Sequence, residues 1–216
     1  MARLDIRGLR RDQILDAAER LVLKRGWADI TLARLCEEAD VTNGVLTYHF
    51  KDKEDIEQAL WERVNERWHR KLADRFAGAT SVWDIIDTYT HEALTGNDKD
   101  LEVYYLLLID FMSRAIYDPE VAARLQAKFA RGRESLASHL ERVGDLSPAI
   151  DVATAAAVVR AVQLGAVLSR AALGIPKSSK FAAEISALLN GYLTGSANAG
   201  AELAARSVPL RRAARR

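Results

Sequence analysis

The stretch TLARLCEEADVTNGVLTYHF, Thr31 to Phe50, decides how the rest of the chain is read. Leu32, Leu35, Cys36 and Ala39 share one face of a short helix over Thr31 to Ala39, and Thr42 is placed to cap a second helix running to Phe50. Two such short helices, joined by a turn of about three to four residues, fit a helix-turn-helix. Leu35, Ala39 and Val41 then face inward, while Leu46 and Phe50 anchor the second helix against the first. Asn43, Gly44, Val45 and Thr47 are left pointing out. Asn is a bidentate partner for adenine, Val45 can meet a thymine methyl, and Gly44 lets the backbone approach closely. Around them, the hydroxyls of Thr31, Thr42 and Tyr48, the His49 imidazole and Lys53 suit phosphate oxygens, which free amides at a helix N-terminus also favour. Such a pattern also occurs in proteins that never meet DNA, so by itself it leaves both readings open.

Working outward, Ile14, Ala17, Ala18, Leu21 and Val22 recur at helical spacing and stop at Gly26, which suits a left-handed cap. On the other side, Asp52 can cap a long helix from Lys53, with Ile56, Leu60, Val64, Trp68, Leu72 and Phe76 as its stripe. Further helices are expected at 81–95, with Ser81 as cap and Asp84 in its first turn, and at 98–116, 119–143, 148–173 and 179–195. The four prolines sit at helix starts or stops, and Asp118-Pro119-Glu120 and Ser147-Pro148 both read as cap plus first-turn proline. No alternating strand pattern occurs. The fold class is therefore all-α. The expected organisation is a reading head over 1–52, a connecting helix over 53–76, a larger helical domain over 77–199 and a basic, disordered tail over 200–216.

Composition agrees. Of 216 residues, 49% are hydrophobic, 31 Lys and Arg nearly balance 30 Asp and Glu, and the net charge is +1. Cys36 is the single cysteine, and MARLDIRGLRRDQ is charged where a secretory signal has its apolar run, so a reducing, cytoplasmic setting is expected. The most apolar window, Val152 to Leu173, carries Arg160, Gln163 and Arg170, which argues against a membrane span.

From Arg11 to Leu60 the chain resembles the DNA-binding domain of the TetR family. The resemblance rests on the helix ending at Gly26-Trp27, then Ile30-Thr31, Gly44-Val45-Leu46-Thr47-Tyr48-His49-Phe50 and Lys51-Asp52-Lys53-Glu54. It implies an all-helical homodimer: a three-helix head joined through a fourth helix to a domain that binds a small effector, most often in a repressor that the ligand releases from DNA. Asp40 stands where the family usually has Gly, and Asp is among the few residues that tolerate a left-handed turn. Thr47 stands where Tyr is frequent, and Tyr48 can compensate. A weaker similarity, over Leu106 to Ala115 with Asp118-Pro119-Glu120-Val121, is to the C-terminal domain of the choline-responsive repressor branch.

Residues 1–60 hold ten basic and twelve acidic side chains, so position matters more than the sum. Arg3, Arg7, Arg10 and Arg11 are expected in an N-terminal arm that follows the DNA backbone or enters the minor groove, with Asp16, Glu19, Glu37 and Glu38 facing away. The last helices carry small residues at four-residue spacing: Ala157, Ala161, Gly165 and Ser169 on one, Ala183, Ala187, Gly191 and Gly195 on the other. Such stripes let helices approach closely, and a two-fold four-helix interface would set the heads about one DNA turn apart on a palindromic operator.

An effector pocket would draw on Trp68, Trp83, His91, Tyr104, Tyr105, Phe111 and Phe129, with Asp110 and Arg114, one turn apart, either polar lining or a mutual pair. The effector is an unidentified small molecule. A helix-turn-helix dimer switched by a protein partner, or constitutive, is the alternative. A helical-bundle metalloenzyme has one foothold, Glu66-x-x-His69, but lacks the second copy and the further glutamates such sites need. No catalytic residue, metal site or cofactor is expected.

Overall fold

The computed structural model describes residues 6–96, 98–174 and 177–195. Arg3 and the expected basic tail from 200 lie outside them. Among the described residues the elements are all helices: α1 (Ile6–Arg25), α2 (Leu32–Ala39), α3 (Asn43–His49), α4 (Lys53–Phe76), α5 (Val82–Thr95), α6 (Lys99–Ala115), α7 (Pro119–Val143), α8 (Val152–Leu173) and α9 (Ser179–Thr194).

They form two compact units, one of Met1–Ala73 and Asn97–Lys128, the other of Asp74–Gly96 and Phe129–Arg216. In the first unit α1 packs on α2, α3 and α6. Its interior includes Ile14, Leu35, Leu46, Phe50, Ile56, Leu60, Leu107 and Leu108, all with at most 1% of their surface exposed. Each such side chain contributes about 1.5–3 kcal/mol through burial. α1 ends where Gly26 turns left-handed (φ +76°) and its N–H donates to Val22. α2 ends at Asp40, also left-handed (φ 51°, ψ 51°), with the Asp40 N–H on the Glu37 carbonyl and the Val41 N–H on that of Cys36. That double bond pattern closes a helix and reverses the chain in two residues.

The second unit is built on α5, which packs against α8 and α9. Ser81 and Asp84 form a capping box at the start of α5, and four donors from Thr80 and Ser81 hold the Asp84 carboxyl below the usual range, the backbone of Thr80 foremost. α8 begins later than the sequence implies. Ser147-Pro148 is not its start: the Ser147 N–H donates to Leu193, residues 148–149 form a turn, and Asp151 caps the helix by accepting from Ala153 and Thr154. The Asp151 carboxylate satisfies two amides of the helix itself, whereas the Ser147 hydroxyl accepts only from Ala149, in the turn before it. Among the described residues α8 is long and apolar enough to cross a membrane, yet Ala155, Ala156, Val159, Gln163, Ala166 and Val167 are buried within its unit.

Packing groups helices from both sides of the expected divisions at 52 and 76, and the one expected at 199 lies outside the described residues. α6 packs on α1, so it joins the head, whereas residues 74–96 pack with the last helices. Most of the connecting helix α4 thus belongs to the first unit. The expected arm is also corrected: α1 starts at Ile6, so Arg7, Arg10 and Arg11 are helical.

Asp40→Ala should lower stability in thermal unfolding by about 1 kcal/mol, because a Cβ without a local acceptor is strained in the left-handed region, while Asp40→Gly should not lower it.

Candidate nucleic-acid interface

α2 and α3, of eight and seven residues, are held by their ends. The Thr31 hydroxyl accepts from the Arg34 N–H and the Thr42 hydroxyl from the Val45 N–H, each at 3.3 Å. At the far ends, the Gln13 amide donates to the Ala39 carbonyl, and Arg11 Nη1 donates to the His49 carbonyl at 3.2 Å while its guanidinium lies 4.3 Å from the centre of the Phe50 ring. Two α1 side chains therefore close the C-termini of both helices, where carbonyls otherwise lack partners.

This frame turns Thr42, Asn43, Gly44, Thr47 and Tyr48 to solvent, with Val45 and His49 half-buried. A Cβ on Gly44 would meet nothing closer than the Thr42 hydroxyl at 3.9 Å, so local packing does not demand glycine there. Thr47 differs from its expected outward role: its hydroxyl donates back to the Asn43 carbonyl at 2.9 Å. Tyr48 is 67% exposed, with the His49 ring edge-on at 5.1 Å. Lys53 is half-buried; its ammonium donates to the Ala28 carbonyl at 3.3 Å and lies over the Trp27 ring, keeping two further N–H groups.

Part of the head's acidity is taken up by ion pairs. Glu38 takes Arg20 and Lys24, whose hydrogen bonds hold its carboxyl below the usual range. Along one face of α4, Arg63 pairs with Asp16 and Glu19 of α1, and Arg67 joins Glu19 at 2.6 Å to Asp100 of α6 at 2.7 Å. Lys71 then takes Asp98 and Asp100, both at 2.7 Å. Burial alone would raise Asp98, but Lys71 and the amides of Leu101 and Asp100 outweigh it and leave the carboxyl low.

The residues expected to line an effector site are divided. Trp68, Tyr104, Tyr105, Asp110, Phe111 and Arg114 lie in the first unit; Trp83, His91 and Phe129 lie in the second. In the first, Tyr104 and Phe111 meet Trp61 at 4.8 and 5.2 Å between ring centres, and Tyr105 stacks edge-on to Tyr104. Asp110 and Arg114 approach to 2.9 Å in a misaligned pair, and Arg114 also binds Glu57. Glu57 is 2% exposed; burial pushes its carboxyl up, against the pull of Arg114. Trp68 is buried. In the second, Phe129 lies under the Arg160 guanidinium, His91 faces Asp87 at 3.5 Å, and Trp83 is half-buried. Trp61 and Glu57 were not singled out by the sequence, and Arg11 was expected in the basic arm rather than at the end of α3. Trp61 and Glu57 flank the Ile56–Leu60 stripe one position round the helix, which was the available signal.

Of the dimer stripes, Ala157, Ala161 and Gly165 are exposed on α8 and Ser169 is half-buried. On α9, Ala187 is buried within its unit, Ala183 and Gly191 are half-buried, and Gly195 is the left-handed cap (φ +70°) against Ser147. Leu188 and Tyr192 are the exposed apolar residues there. Glu66 of the Glu-x-x-His pattern pairs with Arg70 on the surface, and among the described residues no group of three or more His, Cys, Asp or Glu could hold a metal.

Residues 14–60 match the family model described as bacterial regulatory proteins, tetR family, and residues 86–197 match that of the BetI-type transcriptional repressor, C-terminal. The HTH-type transcriptional regulator UidR of Escherichia coli K12 is 24% identical over 192 residues, covering 86% of this chain and 94% of that one. Two solved structures share the fold: Salmonella enterica GusR, at 24% identity and TM-score 0.66 over 85% of this chain and 95% of that one, and a putative regulator from Saccharomonospora viridis in complex with choline, at 18% and 0.67 over 84% and 94%.

Arg11→Ala should cost about 1 kcal/mol in thermal unfolding and speed hydrogen exchange of the α3 amides, since it removes a bond to a helix-end carbonyl and a stacked cation. Asp98 contributes stability above about pH 4, its unfolded value, and loses it as pH falls through the lower folded value. Asp98→Asn keeps the helix cap but not the charge, so its melting deficit against wild type should shrink below about pH 4.

Proposed function

Because this chain belongs to the TetR family of DNA-binding transcriptional regulators, which are not enzymes, we propose that it is a homodimeric repressor that leaves a palindromic operator when a small molecule binds its C-terminal helices. The observation that carries the reading is the α2–α3 frame: a left-handed Asp40 between two short capped helices, with Asn43, Gly44 and Tyr48 presented to solvent. α3 enters the major groove. Asn43 reads adenine edges and Val45 a thymine methyl, while the bare face of Gly44 admits close approach. Thr31, Thr42, Tyr48, His49 and Lys53 take phosphate oxygens and set register. Thr47 contributes its methyl rather than its hydroxyl, which is already spent within α3.

Release follows from α4. It starts four residues after α3 ends, and its Arg67 holds α1 and α6 together through Glu19 and Asp100. An effector that favours a different setting of α6 therefore acts on α1 and α4 together, altering the separation of the two heads in the dimer. A coupling of about 1–3 kcal/mol weakens operator binding by about 5- to 150-fold. The two-fold contact uses the exposed small face of α8, Ala157, Ala161 and Gly165, with Leu188 and Tyr192 of α9. The regulator works in the cytoplasm, where its operator lies.

Selection from a random duplex library should return an inverted repeat with half-sites about one turn apart. Asn43→Ala should relax its base preference by about 1–3 kcal/mol at one position per half-site; an unaltered preference removes Asn43 from the reading set. Ala161→Arg should sediment as a monomer and lose the full site while keeping its helical content in circular dichroism.

A further inference from the structure

α1 brings to the recognition helix two basic side chains that the sequence assigned to an N-terminal arm. Arg7 and Arg10, exposed in the first turns of the helix, line an open groove of about 570 Å³ whose other walls are Thr42, Gly44, Val45, Tyr48 and His49. None of these lining side chains is a carboxylate. Arg7 lies with its guanidinium carbon 5.6 Å from the centre of the Tyr48 ring, and Arg10 donates to the amide oxygen of Gln13 at 2.7 Å. Among the described residues neither has an ion pair, whereas Arg20, Lys24, Arg63 and Arg67 of the same unit are held by Glu38, Asp16, Glu19 and Asp100.

Resting on the DNA-binding reading above, we propose that Arg7 and Arg10 are a phosphate clamp: two helix-borne guanidinium groups that grip the strand bordering the major groove entered by α3 and read no base. Geometry separates this from a minor-groove arm. An α-helix is about 10–12 Å across with its side chains, and the minor groove of B-DNA is only about 6 Å wide, so residues on a formed helix do not thread it. Residues three apart on a helix have Cβ atoms about 5–6 Å from each other, so both guanidinium groups reach one strand. Each can take two phosphate oxygens through its planar fork. Stacking of Arg7 on Tyr48 places a cation beside a phenol that also faces phosphate, so the two act on one stretch of backbone.

The test uses the duplex that the wild-type chain selects from a random library, with binding by wild type, Arg7→Gln, Arg10→Gln, the double variant and the double Arg→Lys variant measured against salt. Each lost phosphate contact lowers the slope of log affinity against log salt by about 0.9. With both arginines lost from each of the two protomers on the full site, the double Gln variant should fall in slope by about 3.6 and in affinity by on the order of tenfold per residue, select the same bases, and melt like wild type. The double Lys variant should keep the slope. An unchanged slope in the double Gln variant overturns the clamp, and so does a changed base preference at A·T pairs flanking the half-site, which marks minor-groove reading. If the wild type selects no duplex, the DNA-binding reading itself fails, and the clamp with it.

Discussion

A helix of seven residues does not persist alone in water, since about 12–15 are needed before propagation repays the cost of the first turn. α3 exists because Leu46 and Phe50 are buried to 0% and 1% exposure against the head and because Arg11 and Thr42 close its two ends. Everything at the candidate interface depends on that burial. It fixes which sides of Asn43, Gly44 and Tyr48 remain in solvent, and the left-handed Asp40 fixes the angle at which α3 leaves α2. The groove beside α3 is a consequence, because the side of α1 that supplies the anchoring arginine also supplies Arg7 and Arg10.

Charge in the head is organised by partnership. Twelve carboxylates against ten cations look unsuited to a polyanion, but several are matched from within: Glu38 by Arg20 and Lys24, Asp16 and Glu19 by Arg63 and Arg67. Partly exposed pairs of this kind contribute little stability singly, about 0–1 kcal/mol. Their joint effect is positional. They tie α4 to α1 and α6, and they leave the groove beside α3 lined by cations and hydroxyls.

Much of the fold was legible because its signals are local. Gly26, Thr31, Thr42, Ser81 and Asp118 cap or stop helices by bonds to residues two to four positions away, and such bonds show in a sequence as residue type and spacing. Where two local signals competed, before α8, only geometry showed that Asp151 reaches the first amides of the helix while Ser147 caps the turn ahead of it. At the interface, Asn43, Gly44 and Tyr48 could be placed outward by period alone. The Lys53 contact with Ala28 could not, because it joins residues 25 positions apart.

By itself the sequence determined an all-helical chain with a helix-turn-helix near its start, through apolar period, caps and the left-handed tolerance of Asp40. Only the tertiary structure decided that residues 7–11 belong to a helix, that α6 packs with the head, and that Glu57 and Trp61 join the Arg114 and Phe111 cluster. The reason is range. Caps and stripes act within one or two turns of the chain, whereas the Arg114–Glu57, Arg67–Glu19 and Arg11–His49 contacts join residues 57, 48 and 38 positions apart, and no local spacing encodes them.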